Sequence, residues 1–129
     1  MISDFKNLQV WQEAQDFASK IYDSTTEFPV SEQYNLTSQL RRAALSISAN
    51  IAEGTGRSTQ RDYCSFLFNA RGSNKEVESH LHFAHKRNYI GLAKYHELLE
   101  HCTKIGKMLT NLIKSVQEKQ NSTEVKDNG

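Results

Sequence analysis

The residues best suited to chemistry form a polar line in the middle of the chain: Gln39, Arg42, Ser46, Asn50, Glu53 and Arg57. Steps of three or four residues stack side chains on one side of an α-helix, so these six read as a single stripe. A stripe of this kind either fixes helix register through hydrogen bonds, with Ser73 and Glu76 as partners opposite, or contacts a ligand. Buried polar groups left unpaired are costly, which favours the register network. Glu53 falls in the last turn, where the helix dipole disfavours an anion, and Arg57 four residues on is the available compensating cation.

A second line comprises Arg61, Cys64, Phe68, Arg71, Lys75, His82 and Lys86. It is mostly basic with an aromatic in its middle. A charge row is ordinarily a solvated face, and Phe68 does not suit that explanation. An aromatic among cations is what a subunit contact or a nucleic-acid surface would use, with phosphates on the cations and a base stacked on the ring. With Arg57 and Arg87 included, the candidate nucleic-acid residues are Arg57, Arg61, Phe68, Arg71, Lys75, Lys86 and Arg87.

The charge distribution points the same way. The chain as a whole is +1, but residues 1–35 carry two basic and six acidic side chains, whereas 36–94 carry nine and four. The middle third is therefore +5 and the first segment −4.

Other chemistries find little support. A di-metal carboxylate site in a helical bundle needs Glu-x-x-His on two helices, and Glu76, Glu78, Glu97 and Glu100 are followed three residues on by Ser79, Leu81, Glu100 and Thr103. His82 with His85, and His96 with Glu100, have helical ligand spacing, which surface histidines also show; no metal is expected. Ser46, Ser48 and Ser73 lie in helical patterns without a strand-to-helix elbow. Gly54-x-Gly56 lacks the strand and third glycine of a dinucleotide loop and reads as a helix stop. Neither an enzyme nor a cofactor is expected. Cys64 and Cys102 have no CxxC spacing and read as buried thiols.

The elements that must hold these residues are helices. One proline and six glycines leave little turn material in 129 residues, so long elements with short connections are implied. Val10, Trp11, Ala14, Phe17, Ala18, Ile21 and Tyr22 stripe a first helix over about Asn7 to Glu27, ended by Phe28-Pro29. Asn35 is the candidate N-cap of the second, Leu36 to Arg57, with Gly54 and Gly56 giving backbone freedom at its end. Ser58 or Thr59 caps a third whose core line is Tyr63, Leu67, Ala70, Val77, Leu81 and Ala84. Gly72 inside it predicts a close backbone approach. Asn88 to Gly91 form a turn, and Tyr95, Leu98, Cys102, Ile105, Leu109, Leu112 and Val116 give the fourth helix a seam alternating three and four. Residues 118–129 read as a disordered polar tail after a single domain, 1–117. The fold class is all-α, an antiparallel up-down-up-down four-helix bundle.

The second helix is apolar on two sides. Leu36, Leu40, Ala43, Ala44, Ile47 and Ile51 share one face, and Leu45, Ala49 and Ala52 nearly the opposite one. Two apolar faces need two coverings, so a homo-oligomer is expected, with a neighbouring copy on the second. The acidic N-terminus lacks a signal-peptide pattern, and no apolar run approaches the roughly 20 residues of a membrane span. A cytoplasmic location without a membrane partner is expected.

Phe5-Lys6, Val10-Trp11, Phe28-Pro29, Leu36 with Gln39, Arg42-Ala43-Ala44, Ser46-Ile47, Asn50-Ile51-Ala52-Glu53-Gly54, Gly56-Arg57, and Ala70 with Gly72-Ser73 and Glu76 carry a family fingerprint. Over about residues 5–116 the chain resembles the four-helix bundle proteins encoded in intervening sequences of bacterial 23S ribosomal RNA genes. Ser48 stands where many relatives have proline, which predicts an unbroken second helix, and Thr55 also departs from the pattern. The resemblance implies a ring-shaped homopentamer without enzymatic activity. A related group assists the reverse transcriptase of diversity-generating retroelements and binds nucleic acid, so an RNA or DNA accessory role is implied. A protein-interaction scaffold that binds no nucleic acid is the alternative.

Overall fold

A computed structural model describes residues 4–128, with side chains described through Ser122. It contains α1 (Gln9–Thr25), α2 (Leu36–Thr55), α3 (Gln60–Lys86) and α4 (Leu92–Asn128), with 3-10 turns at Phe5–Asn7 and Val30–Glu32. Among the described residues there is no β-strand.

Local chemistry sets the helix ends. The Thr59 hydroxyl accepts from the Asp62 N–H at 3.1 Å and caps α3. At its other end Asn88 adopts φ 63°, and the N–H groups of Asn88 and Tyr89 bond the carbonyls of His85 and Ala84, a left-handed stop that asparagine tolerates better than most residues. Asn35 occupies the N-cap position of α2 without capping it through its side chain. Glu32 takes that role, Oε1 accepting from the Leu36 N–H at 3.4 Å.

The glycines differ from expectation. Gly54 and Gly56 have no positive φ, so neither ends α2 by backbone freedom. Gly54 is buried, and a Cβ there would sit 2.8 Å from Tyr63 Cδ1 and 3.1 Å from Phe66 Cβ; its hydrogen atom lets the start of α3 cross the end of α2. Gly72 is exposed with nothing within 4 Å of a built Cβ, so the close approach expected there does not occur within this chain.

Phe17, Ile21, Leu40, Ile47, Ile51, Leu67, Val77, Leu81, Leu98, Ile105 and Leu109 are sealed in one core. Every residue of the expected inner face of α2 is buried. On α4 the seam matches except that Ile113, not Leu112, completes the core, while Leu112 packs at its edge. Helix α4 continues past the last buried seam residue, Val116, into the segment read as a tail; the side chains from 123 on lie outside the described ones.

Cross-helix contacts give the register. Gln15 Nε2 donates to Ser48 Oγ (2.9 Å) and Arg41 Nε to Thr25 Oγ1 (2.9 Å) between α1 and α2. Ser73 meets Ser46 between α2 and α3, and Asn74 meets Cys102 between α3 and α4. Between α1 and α2 the partner numbers fall along one helix as they rise along the other. Helix α2 is unbroken through Ser48, whose hydroxyl also donates to the Leu45 carbonyl at 3.3 Å.

Candidate nucleic-acid interface

Part of the stripe on α2 forms a network. Ser46 Oγ accepts from Ser73 Oγ at 3.0 Å and from Asn50 Nδ2 at 3.0 Å, and Asn50 also donates to the Ser46 carbonyl at 2.8 Å. These three half-buried groups tie α2 to α3. The remaining stripe residues stay outside it. Gln39 turns to Asn35 (3.3 Å), and Glu76 turns along α3 to His80 (3.3 Å). Arg42 and Glu53 are exposed and have no ion-pair partner among the described residues. Arg57 lies with its guanidinium 4.4 Å from the Phe66 ring centre, so the expected Glu53–Arg57 pair is not formed. A delocalised cation over an aromatic face competes well with a solvated ion pair.

Leu45 is 44% exposed and Ala49 is exposed, while Ala52 is half-buried.

On α3, Arg61, Phe68, Arg71, Lys75 and Lys86 fall on one side of the helix by their spacing, and Arg71 and Lys75 border α4. Arg61 and Lys86 are about 37 Å apart at the helical rise of ~1.5 Å per residue. Phe68 remains 41% exposed with the Arg71 guanidinium 5.0 Å from its ring centre. Arg71 Nη1 also donates to Thr110 Oγ1 on α4 at 3.3 Å, which fixes the guanidinium between ring and hydroxyl. Lys75 pairs with Glu78 at 3.2 Å, so its charge is partly offset. Arg61 and Lys86 have no acidic partner among the described residues.

Cys64 departs from this row: it is buried and belongs to the core cluster. His82 Nδ1 pairs with the Tyr95 hydroxyl at 3.0 Å, and His85 stacks on the Tyr95 ring at 4.4 Å between centres. Arg87 lies at the α3–α4 turn over Tyr89, whose hydroxyl holds its pKa above the ordinary value. Arg57 belongs to the α2 side of α3. The structure thus gathers five of the seven candidate residues and leaves Arg57 and Arg87 apart.

Two features were not singled out from sequence. Arg71 and Lys75 of the α3 row, with Glu78, form one wall of a groove whose other wall is Thr103, Lys107, Thr110 and Asn111 of α4. The three- and four-residue spacing of that wall was a readable signal. The other feature joins α1 to α4: Glu13 accepts from His101 Nε2 at 2.8 Å and from Lys104 Nζ at 3.1 Å. Lys20 Nζ lies 3.3 Å from His101 Nδ1. Because the lysine can only donate there, the ring proton belongs on Nε2, facing the carboxylate. Glu13 is 88 residues from His101 and 91 from Lys104, too many for helix periodicity to connect.

Among the described residues no group of three or more His, Cys, Asp or Glu is placed to hold a metal ion. No helix among them is long and apolar enough to cross a membrane.

The family model of the 23S rRNA-intervening sequence protein matches residues 6–111. The chain belongs to this family. The match spans the whole of α1, α2 and α3 and the seam of α4 as far as Asn111, which includes every residue of the stripe and the basic row. A crystal structure of a protein with unknown function from the S23 ribosomal protein family of Bacteroides thetaiotaomicron VPI-5482 is similar, with TM-score 0.72 and 28% identity over 81% of this chain and 98% of that one. No curated protein matches this family member.

Proposed function

We propose that this member of the 23S rRNA-intervening sequence protein family is a non-catalytic nucleic-acid-binding accessory protein, RNA-associated and cytoplasmic, working as a homo-oligomer of five copies. The observation that carries the reading is the flank of α3, where Arg61, Phe68, Arg71 and Lys86 lie in one row with Phe68 left accessible beside a fixed guanidinium. Cations in a row follow phosphates, and an accessible ring offers a stacking surface. The exposed Leu45 and Ala49 on α2 support an assembly, since a neighbouring copy would cover them; repetition around a ring would multiply the basic row.

Filter binding to structured RNA tests the function. Affinity should fall steeply between about 50 and 200 mM salt, and the double variant Arg61→Glu with Lys86→Glu should bind far more weakly. A flat salt response with unaffected variants overturns the reading. Light scattering tests the assembly: a mass of 14.7 kDa at micromolar concentration removes it.

One observation favours the scaffold alternative. Val30 and Tyr34 (91% exposed) lie near the α1–α2 connection, which Phe28 and Tyr89 join to the α3–α4 turn, where Leu92 is also exposed. That bundle end suits a protein partner. Recovery of one nuclease-insensitive protein partner, lost on Tyr34→Ser, would favour the alternative.

A further inference from the structure

The groove between α3 and α4 has a volume of about 480 Å³. Its floor is closed by two residues that satisfy each other. Asn74 Nδ2 donates to the Cys102 carbonyl at 2.9 Å, and the Cys102 thiol is directed at Asn74 Oδ1 at 3.2 Å. Beside them Gly106 adds no side chain, and a Cβ there would crowd Asn74 Nδ2 at 3.3 Å. The floor is therefore polar, uncharged and internally paired.

The walls are cationic. Arg71 stands on the α3 side, spends one N–H on Thr110, and has no acidic partner among the described residues. A guanidinium carries five N–H donors, so the remainder are open to a ligand. Lys107 stands on the α4 side, likewise without an acidic partner among the described residues. The acid at one end, Glu78, is taken by Lys75 at 3.2 Å. The groove thus has two uncompensated positive charges on opposite walls, with the Thr110 hydroxyl and the Asn111 amide beside Lys107 on the α4 wall.

We propose that the α3/α4 groove seats a single unpaired nucleic-acid strand, with phosphates between Arg71 and Lys107 and a base stacked on the Phe68–Arg71 pair. The proposal rests on the nucleic-acid reading above and adds the α4 wall and the strandedness. Unpaired bases can stack on aromatic rings or on guanidinium planes, whereas paired bases in a duplex have their faces covered. A duplex would meet the cations alone and leave the ring–guanidinium stack unused. An acidic peptide would do the same. RNA and DNA strands share the chemistry that this groove recognises.

Fluorescence anisotropy of the full chain, with labelled oligouridylate, oligothymidylate, a duplex of matched length and polyglutamate as probes, tests this. Single strands of either sugar should bind at least tenfold more tightly than the duplex. Lys107→Glu should weaken single-strand binding at least tenfold, and Asn111→Ala should weaken it less. Phe68→Leu, which keeps an apolar side chain at an exposed site, should weaken single-strand binding several-fold while leaving duplex binding unchanged. If binding is lost in the Arg61→Glu, Lys86→Glu variant but Lys107→Glu and Phe68→Leu bind as well as the parent, the groove is overturned and the wider function stands. Equal affinity for duplex and single strand, with Phe68→Leu indifferent, also overturns it. Binding of polyglutamate without binding of any oligonucleotide overturns both.

Discussion

His101 donates to Glu13 at 2.8 Å and so fastens α4 to α1. The Lys104 ammonium at 3.1 Å, and then His101, hold the Glu13 carboxyl below its ordinary pKa of 4.5. A carboxylate with a lowered folded-state pKa contributes stability that is complete above its unfolded value and is lost as pH falls through the folded one. Glu13→Gln should therefore cost about 1 kcal/mol at neutral pH. The gap between variant and parent should close as pH drops below 4.5, and urea unfolding at one pH on each side checks it.

Two of the helical glycines, Gly54 and Gly72, should respond oppositely to alanine. At Gly54 the new methyl meets Tyr63 and Phe66 at the α2–α3 crossing, so Gly54→Ala should destabilise by about 1–3 kcal/mol. At Gly72 it meets nothing, so Gly72→Ala should stabilise by about 1 kcal/mol through helix propensity. Thermal unfolding of the two variants decides both signs.

The Ser46–Ser73 hydrogen bond predicts a coupling between α2 and α3. In a double-mutant cycle the alanine pair should lose less than the sum of its singles, by about 0.5–1.5 kcal/mol. Asn50→Ala should interact with the Ser46 site in the same sense, since Ser46 Oγ accepts from both. Additive singles, measured by urea unfolding, would show that the bond contributes nothing to register.

Both thiols should be inert in the folded protein. Burial pushes Cys64 above its ordinary pKa and Cys102 up to about 12, so the reactive thiolate is disfavoured in both. Native protein should resist iodoacetamide, and urea-unfolded protein should take up two equivalents by mass spectrometry.

The parts legible in the sequence were those governed by local periodicity. The inner face of α2 and the α4 seam repeat every three to four residues, and burial follows that repeat almost residue for residue. The Ser46, Asn50 and Ser73 network was legible too, because two members sit one turn apart and the third on the next helix. What could not be read was choice among partners. Arg57 had a carboxylate one turn back and took the Phe66 ring instead, a contact decided by how α3 leaves the connection. Gly72 and Gly54 look alike in sequence, yet only the crossing point shows which one another helix needs. The α4 wall of the groove carries a three- and four-residue spacing, but its residues are individually ordinary and acquire meaning only beside Arg71.

The reciprocal bonds between Asn74 and Cys102 have a mechanical consequence. Sliding α3 along α4 by one turn, about 5.4 Å, would leave an amide and a carbonyl stranded in the core at once. The two helices are therefore locked in phase, and the distances between cations on facing walls are set like marks on a ruler before anything is laid against them. Replacing Asn74 with leucine would keep the volume roughly filled but release the lock, and the marks would drift.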